Sequence, residues 1–110
     1  MRAPRVELLW WEGCPSTDGA LAMLRDEMAA VGLDPEEIEM REVSTDADAQ
    51  REEFIGSPTI RVDGHDVQPV PGETIGLSCR VYRLPDGRVS PLPDRAEVRQ
   101  TLSDAMKGGD

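Results

Sequence analysis

Val6-Glu7-Leu8-Leu9-Trp10-Trp11-Glu12-Gly13-Cys14-Pro15-Ser16-Thr17 is the stretch whose reading decides the fold. Val6 to Trp11 is a short apolar run of strand-favouring residues without clean alternation, so it reads as a strand buried on both faces in the middle of a sheet. Gly13 breaks the run, and Pro15 suits the opening of a helix. The Cys14 thiol is thereby placed where a buried strand hands over to a helix N-terminus. Exposed backbone N–H groups and the positive end of the helix dipole favour a thiolate there. Cysteines so placed have a pKa below the free value of about 8.5. A cysteine that is largely thiolate serves as a nucleophile, a redox centre or a soft-metal ligand.

Working outward, a first helix is expected from Pro15 to about Val31. Leu21, Leu24, Met28 and Val31 share one side, Ala20 lies beside them, and Gly32 ends the helix. Ile38 to Val43 reads as a half-exposed strand, and Thr45 with Asp48 has capping-box spacing for a short helix over roughly Asp46 to Phe54. Gly56-Ser57-Pro58 interrupts, Thr59 to Val62 is a third strand, and Asp63-Gly64 turns the chain into a short return at Asp66 to Gln68. Residues 68–76 read as loop, followed by a strand from about Cys79 to Leu84 with Arg88-Val89 as its pairing partner. Asp94 with Glu97 caps a last helix that packs through Val98, Leu102, Ala105 and Met106, and residues 107–110 are expected to fray. The early strand–helix–strand order demands parallel pairing through a right-handed crossover. The later hairpin adds antiparallel strands. The expected fold class is α/β, a mixed central sheet with helices on both faces, in one domain with a core over about residues 5–106.

Composition narrows the function. The net charge of −10 argues against nonspecific binding to nucleic acid or to an anionic membrane surface. No apolar run approaches the roughly 18 residues of a bilayer span, and Met1 to Arg5 lead into a strand without the apolar region of a signal peptide. A cytoplasmic protein is expected, with neither nucleic acid nor membrane as partner. In a reducing compartment the two cysteines do not read as a structural staple. Cys14 and Cys79 are too far apart in sequence for a local zinc knuckle, and the single histidine, His65, reads as a solvated turn residue. Met23, Met28, Met40 and Met106 lie on expected helices and a strand and call for no copper-binding role.

The element order, with Gly13-Cys14-Pro15 after the first strand and Ser57-Pro58-Thr59 before the third, resembles the thioredoxin fold over about residues 5–106. Trp11 to Thr17 is similar to the active-site loop of thioredoxins and glutaredoxins. Gly56-Ser57-Pro58-Thr59 is similar to the loop whose cis-proline faces that cysteine. The chain also resembles small bacterial thioredoxin-like proteins, some of which carry an alkylmercury-lyase label. The resemblance implies a catalytic Cys14 and a substrate-binding surface of Trp11, Pro15, Ser57, Pro58 and Thr59, with Ser57's backbone free to pair with an extended thiol substrate.

Thr17 stands where the family carries a second cysteine, so Cys14 closes no local disulfide. Thr17, in the first helical turn, is expected to donate a hydrogen bond to the Cys14 thiolate. That fits monothiol chemistry on a thiol or disulfide substrate: the thiolate attacks a disulfide, and glutathione as co-substrate, or another thiol, resolves the mixed product. Cys79 offers a second route, because the loop over residues 69–76 can deliver it to the same end of the sheet. Sulfurs that meet make a long-range redox pair, or a two-thiolate site for Hg²⁺ or Cu⁺; bridging them needs Cα atoms within about 7 Å. Thiol–disulfide exchange at Cys14 is the leading expectation, with no bound cofactor. The alternatives are soft-metal or organomercurial chemistry using Cys14 and Cys79, with Asp18 the nearest carboxylate in sequence, and a non-catalytic interaction module.

Overall fold

Five residues of the first strand are decided by what lies on both sides of them. In the computed structural model, which describes residues 3–108, strand β1 (Val6–Trp10) runs through the centre of a sheet and is buried from Val6 to Leu9. Its neighbours are β2 (Glu39–Glu42), parallel to it, and β3 (Thr59–Val62), antiparallel; β4 (His65–Asp66) continues beyond β3 in the order β2-β1-β3-β4. The Asp63-Gly64 turn joining β3 to β4 has φ of 52° and 82°, the left-handed pair that a two-residue type I′ hairpin requires.

Alternation along β1 divides the core. Val6 and Leu8 face one side with Ile60 and Val62, against helices α1 (Thr17–Ala30) and α3 (Arg95–Lys107). Leu9 faces the other side with Val43, Ala49 and Phe54, under the short helix α2 (Asp46–Glu52). Helices therefore cover both faces of a mixed sheet, as expected.

Glu7 shares the α2 side and is 4% exposed. It is held there by Arg41 at 2.7 Å and Arg5 at 3.1 Å, which offset a desolvation that an unpaired carboxylate would not survive. Glu27 plays the corresponding part on the opposite side: buried on α1, it accepts from Arg99 at 2.7 Å and Arg95 at 3.2 Å and ties α1 to α3.

The helix ends follow local chemistry. Asp94 Oδ2 accepts from the Glu97 N–H, and Thr45 Oγ1 accepts from the Asp48 N–H at 3.0 Å. After α1, Gly32 at φ 87° lets its own N–H reach Ala29 and the Leu33 N–H reach Met28, a Schellman closure.

Several boundaries differ from expectation: β2 is shorter than the expected Ile38 to Val43, and β4 lies at His65–Asp66 instead of the expected Asp66 to Gln68. Helix α1 begins at Thr17, with Pro15 in the preceding turn, because its first i→i+4 bond runs from the Ala20 N–H to the Ser16 carbonyl at 3.0 Å, while residues 11–14 form a tight turn closed by the Cys14 N–H on the Trp11 carbonyl. Helix α2 stops at Glu52, since Glu53 turns left-handed and sends the Phe54 side chain back into the core. The expected strand from Cys79 to Leu84 is regular only as β5 (Tyr82–Arg83), which pairs with β6 (Val89–Ser90) in a separate two-stranded ribbon. Of the expected frayed residues 107–110, Lys107 is helical and Gly108 caps the helix through its N–H on the Asp104 carbonyl at 2.9 Å, while 109–110 lie outside the described residues. Among the described residues no helix is long and apolar enough to cross a membrane.

Candidate functional site

Two short segments far apart in sequence build one site. The first is the turn after β1. The Trp11 ring packs against Gly13, where a Cβ would stand 2.4 Å from ring carbons, so only glycine permits this packing. Trp11 N–H donates to Ser57 Oγ at 3.0 Å, and Cys14 Sγ donates to the Ser57 carbonyl at 3.3 Å. The Cys14 loop is thus fastened to the residue before Pro58, across a cis Ser57–Pro58 peptide.

The second segment is 78–82. Ser57 N–H donates to the Ser78 carbonyl at 2.8 Å, and Arg80 N–H donates to the Ser57 carbonyl at 3.0 Å, a parallel bridge centred on Ser57 and Cys79. Gly56 makes this approach possible: its φ is 137°, and a Cβ there would lie 2.7 Å from the Arg80 Cβ.

The guanidinium of Arg80 anchors the segment. It reaches Asp66 at 2.7 Å, Thr59 Oγ1 at 3.3 Å and the Gln68 carbonyl at 3.0 Å, and stacks 4.1 Å from the Tyr82 ring centre. Tyr82 is fully buried and donates its hydroxyl to the Pro58 carbonyl at 2.5 Å. Burial, with the Asp66 charge adding and Arg80 opposing, pushes the phenol well up, which keeps it a neutral donor.

The outcome is that the two thiols converge. Cys14 is 6% exposed and Cys79 is exposed, both are free, both are brought to Ser57, and each thiol shifts the ionisation of the other. Burial pushes the Cys14 thiol up. Hydrogen bonds to its sulfur from Cys79, from the Ser16 backbone and hydroxyl, and from Ser57 outweigh that, so its pKa falls below the ordinary thiol value. Cys79 is pushed up, first by its hydrogen bond to Cys14, then by burial and by the Cys14 charge. The dithiol therefore loses its first proton more readily than its second.

Several expectations are placed or corrected by this geometry. Trp11, Cys14, Ser57, Pro58, Thr59 and Cys79 converge; Pro15 is exposed in the turn. Ser57's backbone is not free for an extended substrate, because its N–H and carbonyl are both taken by residues 78 and 80 and the residue is fully buried. Thr59 is also fully buried, bonded to the Gly56 carbonyl at 2.5 Å. Thr17 does not donate to Cys14: its buried hydroxyl has no hydrogen-bond partner among the described residues, and the neighbouring Ser16 takes that role. Asp18 is exposed in the first turn of α1, and the groups bonded to the Cys14 sulfur are Cys79, Ser16 and Ser57.

Ser16, Arg80 and Tyr82 are the residues that sequence reading missed. Gly56 was the available signal, since a glycine beside Ser57-Pro58 is where another backbone can come close. Among the described residues no three His, Cys, Asp or Glu side chains are grouped to hold a metal ion. No protein-family model, curated protein or solved structure matches the chain.

Proposed function

We propose that the chain is a thiol–disulfide redox protein of thioredoxin-like architecture whose working unit is the Cys14–Cys79 pair. The convergence of Cys14 and Cys79 on Ser57, with the Cys14 thiol acidified, carries this reading. The sheet order β2-β1-β3-β4, with a helix following the Cys14 turn and a cis-proline facing it, supports the architecture.

The exchange balances without any bound cofactor. A disulfide RSSR and the two protein thiols give the Cys14–Cys79 disulfide and two RSH. One S–S bond breaks, one forms, and two electrons pass from protein to substrate. An external thiol such as glutathione then restores the dithiol. Cys79 supplies the second sulfur that a cysteine at position 17 would have supplied.

Treatment with diamide, followed by intact-mass measurement and peptide mapping, tests the reading. The wild type is expected to lose two hydrogens and yield a Cys14–Cys79 crosslinked peptide, while Cys14→Ser and Cys79→Ser lose neither. Two thiols that stay alkylatable after diamide contradict it.

A second reading rests on the same convergence. Two thiolates, with no third ligand grouped beside them among the described residues, match a linear two-coordinate soft ion such as Hg²⁺ or Cu⁺. Stoichiometric Hg²⁺ binding that is lost equally in either serine variant, without disulfide formation under diamide, would favour it.

A further inference from the structure

The occupied Ser57 edge and the unequal exposure of the two sulfurs say more about the substrate, given the redox reading above. An extended peptide that paired with Ser57 would need its N–H and carbonyl. Both are already satisfied by Ser78 and Arg80 of the same chain, so the Ser78–Arg80 segment lies where such a peptide would lie. The segment is also hard to displace. Lifting it would strip the Arg80 guanidinium of Asp66, Thr59 and Gln68 and the Ser57 backbone of both its partners. Buried groups left without partners cost on the order of 1–3 kcal/mol each.

What stays open is a cavity that Cys79 itself lines. It measures about 480 Å³ and is walled by Ile55, Val70, Thr74, Leu77, Cys79 and Val81, with Glu73 and Arg80 as its charged members. The Arg80 side chain is 4% exposed and paired with Asp66, which leaves the exposed Glu73 carboxylate to set the charge of the wall. The mouth is apolar, with Val70 and Val81 among the exposed hydrophobic residues. Space of this size is at the lower end of small-molecule sites.

We propose that the substrate is a low-molecular-weight disulfide, uncharged or cationic, that meets Cys79 first, and that Cys14 is the buried resolving sulfur.

The hydrogen bonds permit this order. When the pair has lost one proton, passage of the remaining proton from Cys79 to Cys14 leaves a neutral Cys14 that donates to the Ser57 carbonyl, and an exposed Cys79 thiolate. That thiolate attacks one substrate sulfur; the S–S bond breaks and RS⁻ leaves, forming Cys79–S–S–R. Cys14 gives up its proton to the departing thiolate and attacks the Cys79 sulfur. The second RS⁻ leaves and takes a proton from solvent, and the Cys14–Cys79 disulfide is formed. The step forfeits some thiolate at Cys79, whose pKa is raised. Access decides the order, because an attacking sulfur must reach its target in line.

The test is trapping on the full-length protein. Cys14→Ser and Cys79→Ser are each mixed with cystamine, 2-hydroxyethyl disulfide, oxidised glutathione and a disulfide-linked peptide of several residues on either side of the bridge, and adducts are timed by intact mass. Cys14→Ser is expected to form its Cys79 adduct about tenfold or more faster than Cys79→Ser forms one on Cys14, in line with site selectivity set by access. The rates should fall from cystamine through 2-hydroxyethyl disulfide to oxidised glutathione and then to the peptide. Faster trapping on Cys14, or a peptide that reacts as fast as 2-hydroxyethyl disulfide, overturns the assignment while leaving the redox reading intact. Failure of the wild type to form an internal disulfide with diamide overturns both. As a second arm, Arg80→Ala with Asp66→Asn releases the Ser78–Arg80 anchor without stranding a carboxylate; peptide-disulfide reduction should rise in it relative to 2-hydroxyethyl disulfide, and an unchanged ratio in a folded variant counts against the exclusion.

Discussion

The Cys14 loop and the Cys79 segment supply one sulfur each, yet they are built by different physics. The Cys14 loop is local. A strand, a tight turn and a helix start position the thiol, with Gly13 under Trp11 and Ser16 close enough to bond the sulfur. The Cys79 segment has no regular structure of its own. It is held by contacts to residues 56, 57, 59, 66 and 68, above all through one buried arginine. Damage to the loop should therefore change thiol chemistry with little change in stability. Damage to the segment should change both.

The largest effect is expected at Arg80. Arg80→Ala leaves a largely buried Asp66 carboxylate and the Thr59 hydroxyl without their partner. Breaking a buried pair from one side costs about 3–5 kcal/mol, to be read from urea unfolding, and the Cys14–Cys79 crosslink should form more slowly in whatever remains folded. Gly56→Ala comes next. It places a Cβ against Arg80 in a backbone region that L-residues avoid, at about 1–3 kcal/mol, with the same loss of crosslinking rate. A variant at either position that keeps wild-type stability and crosslinking would break the claim that the segment depends on distant anchors.

Two smaller changes sharpen the contrast. Thr45→Ala removes the N-cap of α2, away from both sulfurs, and should cost about 1 kcal/mol with unchanged thiol reactivity. Ser16→Ala should do the reverse. Its hydroxyl lowers the Cys14 pKa, so its loss moves the Cys14 titration upward and reduces thiolate at neutral pH, with stability nearly unchanged. A downward shift, followed by thiolate absorbance, would contradict the assignment.

The same division explains what could be read from the chain. The Asp63-Gly64 hairpin, the Asp94 and Thr45 caps and the Gly32 closure follow from residues within a few positions of one another, and the structure has each where its local chemistry puts it. Burial of β1 on both faces was legible from its composition, but Glu7 inside it was not, because its partners Arg5 and Arg41 are useful only once β2 lies alongside. Helix α1 starts later than Pro15 suggested, since its first i→i+4 bond is accepted by the Ser16 carbonyl. The role given to Thr17 falls to Ser16, the residue before the helix, while the Thr17 hydroxyl is buried without a partner among the described residues. The Ser57–Cys79 bridge is the least legible feature. It joins two backbones with no shared periodicity, and the residues that secure it, Arg80 and Tyr82, look in sequence like the exposed and buried positions of an ordinary strand.

The coupling between the two sulfurs is tested most directly by titrating thiolate absorbance in the wild type and in Cys79→Ser and Cys79→Ala. Two separated steps are expected in the wild type, one below and one above the free-thiol value of about 8.5. The Cys14 midpoint should lie higher in Cys79→Ala, which removes the donor, than in Cys79→Ser, which retains one. Two thiols that ionise together at the free-thiol value, with a Cys14 midpoint identical in both variants, would contradict a shared dithiol site.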